Sequence, residues 1–123
     1  MFFRIGDPKN PVKTGIEYKI LDSFGKPDNQ MCHHDHEGII LTVGPKKNMS
    51  KNPGQWNRMK IHCQGHHLKV HLNGMEIINH GLDSKGEGKL NGLTDRPIIG
   101  HIGLQDHGKP NNLYFRNIRF REL

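Results

Sequence analysis

The sequence predicts an all-β protein built as an antiparallel sandwich, and two observations carry this prediction. The 123 residues include no alanine but 15 glycines and seven prolines, so the best helix former is missing while turn formers are abundant. Apolar and polar residues alternate with a period of two in several segments, as in strands with one buried face. About seven such segments, separated by turn-rich loops, are typical of an antiparallel sandwich.

The first alternating segment is 15–22, where Ile16 and Tyr18 share one face and Glu17 faces the other way. We predict further strands over residues 38–43, 57–63, 68–72, 75–79, 98–105 and 113–120. Asn73-Gly74 predicts a two-residue hairpin turn, because both residues tolerate positive φ. The alternation predicts these core residues: Ile61, Leu68, Val70, Leu72, Ile102 and Leu104.

The second face of the predicted strands is rich in imidazole, carboxylate, amide and amine groups. Its members are Glu17, Lys19, Lys60, His62, Lys69, His71, His101, Gln105 and, at the strand end, His107. Such side chains can donate to and accept from sugar hydroxyls, so the face suits a carbohydrate ligand. From the pattern alone, an ordinary solvated sheet face is the alternative.

Composition and charge exclude several other classes of function. The length fits one domain. The formal net charge is +6, but the basic residues are scattered and few aromatic residues lie among them, so we expect no nucleic-acid partner. We also expect no membrane partner, because no run of about 18 apolar residues occurs, and the segment 1–10 has no signal-like stretch. Two cysteines make no disulfide framework, and Cys63 is expected to act as a small buried hydrophobe.

Five strings resemble, in order, the signature of the 3-keto-disaccharide hydrolase family. They are GIEYKILDS at 15–23, PKKNM at 45–49, PGQWNRMKIHCQGHHLKVHLNG at 53–74, GHIGLQDHG at 100–108 and YFRNIRFREL at 114–123. The resemblance implies a concanavalin A-like jelly roll of two antiparallel sheets, one of which curves into a groove. It also implies bacterial enzymes, mostly exported, that act on glycosides whose sugar has been oxidised at C3.

The chain departs from the family pattern at several points. Family domains usually begin several strands earlier, so residues 1–123 are expected to form the C-terminal two-thirds of that domain. The segment MFFRIGDP should then be an interior strand, and the uncovered sheet edge should favour self-association. Lys19 stands where the family usually has glutamine, and Leu41-Thr42 replaces a Tyr-Asp pair.

A 3-keto sugar defines what the site must supply. The C3 carbonyl acidifies the C2 proton, so a base can remove it, the aglycone can leave from C1, and water can add back. Such a site needs a base, a partner for the enolate oxygen and an acid. The resemblance implies His107 and Glu17 as the catalytic residues. A turn-capping role for His107 and a solvated position for Glu17 are the alternatives.

The candidate substrate-binding residues are Gln105, Arg116, Asp22, His101 and His71. Three of them have a structural alternative: a cross-strand hydrogen bond for Gln105, an ion pair with Glu17 or another acid for Arg116, and a turn cap for Asp22. Trp56 is expected to be a core or sheet-corner residue rather than a sugar-stacking platform.

The segment 32–37, CHHDHE, contains several potential metal ligands. Adjacent residues cannot all face one ion, so we expect a polar loop and no cofactor, although a divalent metal stays open as an enolate partner. The leading hypothesis is a hydrolase of 3-keto glycosides. A non-catalytic carbohydrate-binding module of the same fold and an inactive fragment are the alternatives.

Overall fold

The computed structural model describes residues 1–84, 93–106, 108 and 113–123. Its elements are β1 (Phe2–Ile5), the short helix α1 (Pro11–Thr14), β2 (Ile16–Glu17), a 3-10 turn (Asp28–Gln30), β3 (Met59–Gln64), β4 (His67–Leu72), β5 (Met75–Gly81) and β6 (His101–Gly103). The expected all-β architecture with antiparallel sheets is confirmed. In these described ranges, no helix has the length and apolar character that crossing a membrane requires.

The described strands form two three-stranded sheets, with the orders β2-β1-β6 and β3-β4-β5. β1 is the central strand of the first sheet, which confirms that MFFRIGDP contributes an interior strand. Its residue Phe2 lies opposite Glu17 on one side and opposite Gly103 on the other. The N-terminal amine of Met1 extends this pairing by donating to the Tyr18 carbonyl over 2.9 Å.

The predicted hairpin turn at Asn73-Gly74 is confirmed. Both residues have positive φ, 53° and 93°, as a two-residue turn of the primed type requires. The Asn73 side chain stabilises the turn from outside, because its Oδ1 accepts from the Arg58 N–H over 2.9 Å and its Nδ2 donates to the Met49 carbonyl over 2.7 Å. This turn fixes the register of β4 and β5.

The core lies between the two sheets and takes residues from both. Its members are Phe3, Ile16, Tyr18, Ile39, Leu68, Val70, Leu72, Ile77, Ile78, Leu82 and Leu93. The predicted core positions on β4 are confirmed, and Ile61 packs against them while partly buried. Ile102 and Leu104 were wrongly placed in the core, since each is 50% exposed. β6 is a short edge strand that ends at Gly103, so the alternation does not continue through Leu104.

Two other predicted strands take a different form. Residues 38–43 form turns, with Leu41 at φ 59°, and contribute only isolated bridges. Their backbone still pairs with the end of β2, because the Ile40 N–H donates to the Glu17 carbonyl over 3.0 Å. Residues 113–123 have no regular structure and are exposed throughout, because no described strand lies beside them to complete a ladder.

A β-bulge in β1 directs the Arg4 side chain to the second sheet, where it forms hydrogen bonds. Phe2 pairs with Gly103 and Ile5 with His101, so β1 holds one residue more than β6 over this stretch. Arg4 takes φ 51° there and its side chain turns towards the second sheet. Its Nη1 donates to the Gly65 carbonyl over 2.6 Å, and its Nη2 donates to the Cys63 carbonyl over 3.4 Å. The bulge therefore leaves Phe2 and Ile5 on the face of β1 opposite Phe3, outside the main core cluster, where they are nevertheless buried, at 3% and 4% exposed.

Candidate functional site

A groove lies on the face of the β2-β1-β6 sheet that points away from the core. Its volume is about 530 Å³. The lining residues are Phe2, Ile5, Pro8, Pro11, His101, Ile102, Gly103, Leu104, Gln105 and Asp106. Gly103 keeps its floor open, because a Cβ there would come within 3.3 Å of the Ile5 side chain. Apolar walls with a few polar groups are what small-ligand sites usually offer.

Three of the predicted site residues share this face. Glu17 lies opposite Phe2, and residues that face each other across antiparallel strands project to the same side. His101 and Gln105 line the groove on the β6 side of the sheet, across β1 from Glu17. Two strand spacings of about 4.8 Å separate Glu17 from Gly103, so the three polar side chains can meet through a bound molecule. Glu17 is half-buried and therefore accessible.

Asp106 adds a carboxylate to the groove beside Gln105. Its Oδ1 accepts from the Gly108 N–H over 2.9 Å, which orients the carboxylate at the end of β6. The predicted catalytic residue His107 lies outside the described residues. The groove therefore combines a carboxylate on β2 with an imidazole, an amide and a second carboxylate on or after β6. These groups can hold sugar hydroxyls and move protons.

The expectation that all the polar strand residues share one sheet face is wrong, because they are divided between two sheets. His71 lies on β4 in the second sheet, where its Nε2 is 4.0 Å from a Glu76 carboxylate oxygen. Hairpins connect β3, β4 and β5 into a sheet of their own, so His71 cannot join Glu17.

Two further candidates lie away from the groove lining. The Arg116 guanidinium stacks on the Trp56 ring, 3.9 Å from its centroid, and Trp56 is 44% exposed rather than part of the core. Asp22 is exposed, and its Oδ1 accepts from the Phe24 N–H over 3.1 Å. That bond gives Asp22 the turn-capping role that the sequence had offered as its alternative.

The polar groups of the segment 32–37 bind one another and neighbouring loop residues. The Asp35 Oδ2 contacts Lys26 Nζ at 2.6 Å and accepts from the Cys32 N–H over 2.8 Å. Burial would raise the pKa of Asp35, but the hydrogen bonds from Lys26 and Cys32 outweigh it and lower the pKa. Within the described part of the chain, no group of three or more His, Cys, Asp or Glu side chains is placed to hold a metal ion.

A buried His36–Glu37 pair was not foreseen from the sequence. His36 Nε2 is 3.0 Å from Glu37 Oε1, and Glu37 is only 1% exposed. The Leu21 N–H donates to His36 Nδ1 over 3.1 Å, which assigns the ring proton to Nε2 and makes it the donor to Glu37. Burial raises the pKa of Glu37 well above its usual value. Burial also lowers the pKa of His36 to about 4, against the opposing effect of Asp22.

Burial therefore favours the neutral form of both members of this pair. Both side chains are buried, so the pair stabilises the loop beside β2 and is not accessible to a substrate. No sequence signal marks them, because they look like the rest of a polar loop.

Comparison with known proteins agrees with the predicted resemblance. The model of a family described as a 3-keto-alpha-glucoside-1,2-lyase-like domain matches residues 1–121. A crystal structure from Parabacteroides distasonis, of a protein described as a candidate glycosyl hydrolase, is 27% identical with a TM-score of 0.59. The match covers 67% of this chain and 43% of that one, so this chain spans less than half of its length. No curated protein matches the sequence. The chain belongs to the family of 3-keto-alpha-glucoside-1,2-lyase-like domains.

Proposed function

We propose that this domain forms the glycoside-binding groove of an enzyme that cleaves 3-keto glycosides. The observation that carries the proposal is the pairing of β2 with β1 and of β1 with β6, because it leaves Glu17 on the sheet face whose groove His101 and Gln105 line. The family match and the glycosyl hydrolase-like neighbour support a carbohydrate as the substrate. Carboxylate, imidazole and amide side chains above an apolar floor suit a sugar ring with directed hydroxyls.

The proposed reaction is an elimination followed by an addition. A base takes the C2 proton, which the C3 carbonyl has made acidic, and the electron pair moves into the enolate. The C1–O bond then breaks, and the aglycone leaves with a proton as its alcohol. Water adds its oxygen to C1 and a proton to C2, which restores the 3-keto sugar. The sum of the steps is hydrolysis, and no external oxidant or reductant is consumed.

Glu17 is the proposed base, since it is the carboxylate that β2 presents to the groove face. Gln105 and His101 are proposed to hold hydroxyls of the sugar. His107, which follows Gln105 by two residues, is proposed to carry the leaving-group proton, and this role rests on the sequence alone. Arg116 is given no part in the reaction, because its guanidinium already stacks on Trp56.

The test measures aglycone release from a 3-keto glucoside and from the unoxidised glucoside. We expect turnover of the 3-keto substrate only, and a loss of about 10²–10⁴-fold in kcat for Glu17→Gln, as for the removal of a general base. Gln105→Ala should mainly raise KM, because an amide can hold a hydroxyl but cannot carry a proton. Glu122→Gln, which removes an exposed carboxylate from the C-terminal segment, is the matched control and should leave turnover unchanged.

Two results would contradict the proposal. Equal cleavage of the oxidised and unoxidised substrates would reject the elimination, since only the C3 carbonyl makes the C2 proton acidic. Binding of the 3-keto glucoside without cleavage would identify the domain as a carbohydrate-binding module.

A further inference from the structure

The β3-β4-β5 sheet has a second polar surface, which faces away from the core and from the groove. We call it the outer face. Its residues are Lys60, His62, Gln64, His67, Lys69, His71, Glu76 and Asn79, as the register and the burial of the alternate positions require. These described residues include two lysines and three histidines but only one carboxylate. With two lysines and one carboxylate, the outer face is therefore cationic.

Its cross-strand pairs are unusual for a sheet. Lys60 lies opposite His71, and His62 lies opposite Lys69. Facing positions on a sheet gain stability when their charges are opposite and lose it when the charges are alike. Here each lysine faces an imidazole, so the two strands offer each other no attraction. Glu76 on β5 gives Lys69 and His71 one nearby opposite charge, and an anion bound beside His62 and Lys69 would supply a second.

A shallow cavity of about 280 Å³ lies on the outer face at this position. The four side chains that line it are His62, Gln64, His67 and Lys69. Three of them, His62, Gln64 and Lys69, can present N–H donors to the cavity, and Lys69 adds a fixed positive charge. Converging donors and positive charge are the requirements for binding a carboxylate or sulfate group.

His67 is held in one orientation by its neighbours on β5. The Asn79 Nδ2 donates to Glu76 Oε1 over 2.9 Å, which leaves the Asn79 Oδ1 to face His67 Nε2 at 2.7 Å. His67 Nε2 is therefore the donor to Asn79, and the fixed ring forms a wall of the cavity rather than a donor to the anion. The hydrogen bond from Asn79 is the main cause of a lowered pKa of Glu76. The one described carboxylate of the outer face is thus already engaged at β5, away from His62.

We propose that the outer face binds a segment of an anionic glycan, with a uronate or sulfate group seated in the cavity against His62, Gln64 and Lys69. The site lies on a different sheet from the groove, so it is independent of the proposed reaction. A nucleic acid fits less well, because the outer face includes no phenylalanine, tyrosine or tryptophan on which bases could stack.

The test compares binding of dextran sulfate, polygalacturonate and uncharged dextran to the intact chain by affinity electrophoresis and calorimetry. We expect both charged polymers to bind and dextran not to bind, with affinity falling as salt rises. Lys69→Gln should weaken binding by about tenfold, as for the loss of a charge-assisted hydrogen bond. Lys51→Gln removes an exposed lysine from a loop outside this sheet and is the matched control. Thermal melting followed by circular dichroism checks that each variant is folded.

Several results would overturn the proposal. If Lys51→Gln weakens binding as much as Lys69→Gln, net charge rather than the cavity holds the polymer. If sodium sulfate binds as tightly per sulfate group as the polymer, the cavity is a site for a small oxyanion and not for a glycan. If duplex DNA binds as tightly as dextran sulfate, the outer face is a general polyanion surface. If His62→Gln has no effect, the cavity is not where the anion sits.

Discussion

Glu37 and His36 should each make the free energy of unfolding depend on pH, and we call each contribution a limb of the curve of stability against pH. Replacing Glu37 by glutamine is expected to remove the Glu37 limb. Burial raises the pKa of Glu37 in the folded state, so the folded chain keeps a proton that the unfolded chain loses above pH 4.5. Its contribution to stability is present below pH 4.5 and is lost as the pH rises towards the folded-state pKa. His36 acts in the opposite sense, because its folded-state pKa falls from 6.5 to about 4. Its contribution is present above pH 6.5 and is lost as the pH falls towards 4.

The magnitudes follow from one proton for each group. The Glu37 limb should lower the free energy of unfolding by about 1.4 kcal/mol per pH unit while the unfolded carboxyl is ionised and the folded one is not. The His36 limb should lower the free energy of unfolding by about 3 kcal/mol as the pH falls from 6.5 to about 4. The two slopes oppose each other from pH 4.5 to 6.5, so the pair gives greatest stability in that range. Above pH 6.5 the His36 limb is flat, and the Glu37 limb falls only until the pH reaches the folded-state pKa of Glu37.

Urea unfolding followed by Trp56 fluorescence, repeated from pH 4.5 to pH 8, measures these limbs. The difference in unfolding free energy, wild type minus Glu37→Gln, should fall as the pH rises from 4.5 towards the folded-state pKa of Glu37, because glutamine can still accept from His36 Nε2 but cannot ionise. Glu122→Gln, an exposed carboxylate with the same change of charge, should show no such trend. A difference curve for Glu37→Gln that stays flat over this range would refute the reasoning.

Three further substitutions test the core packing and the Arg4 hydrogen bonds by the same unfolding measurement. Leu68→Ala should cost about 2–5 kcal/mol because Leu68 is fully buried, whereas Leu104→Ala should change stability by less than about 0.5 kcal/mol because half of Leu104 is exposed; equal costs would contradict the assigned core. Arg4→Met should cost about 1–3 kcal/mol by leaving the Gly65 and Cys63 carbonyls without their donor, and an unchanged midpoint would show that water replaces the guanidinium there.

Local chemistry was enough to predict several parts of this protein. The strict alternation of Leu68, Val70 and Leu72 identified the buried face of β4, because a strand turns successive side chains to opposite sides wherever it lies. Asn73-Gly74 identified the hairpin, because positive φ is a property of those two residues. Strings such as GHIGLQDHG identified the family, since they combine residue identity with order along the chain.

The tertiary structure alone decided which faces are covered and which residues meet. Ile102 follows the same alternating pattern as Val70, yet it is exposed because β6 is a short edge strand with no described neighbour on its outer side. Glu17 and His71 look equivalent in sequence, but strand pairing puts them on different sheets. Glu37 is buried in the folded chain, which is why its raised pKa could not be predicted from the sequence of a polar loop. Periodicity determines the direction of a side chain relative to its own strand, and the burial of that direction depends on what packs against it.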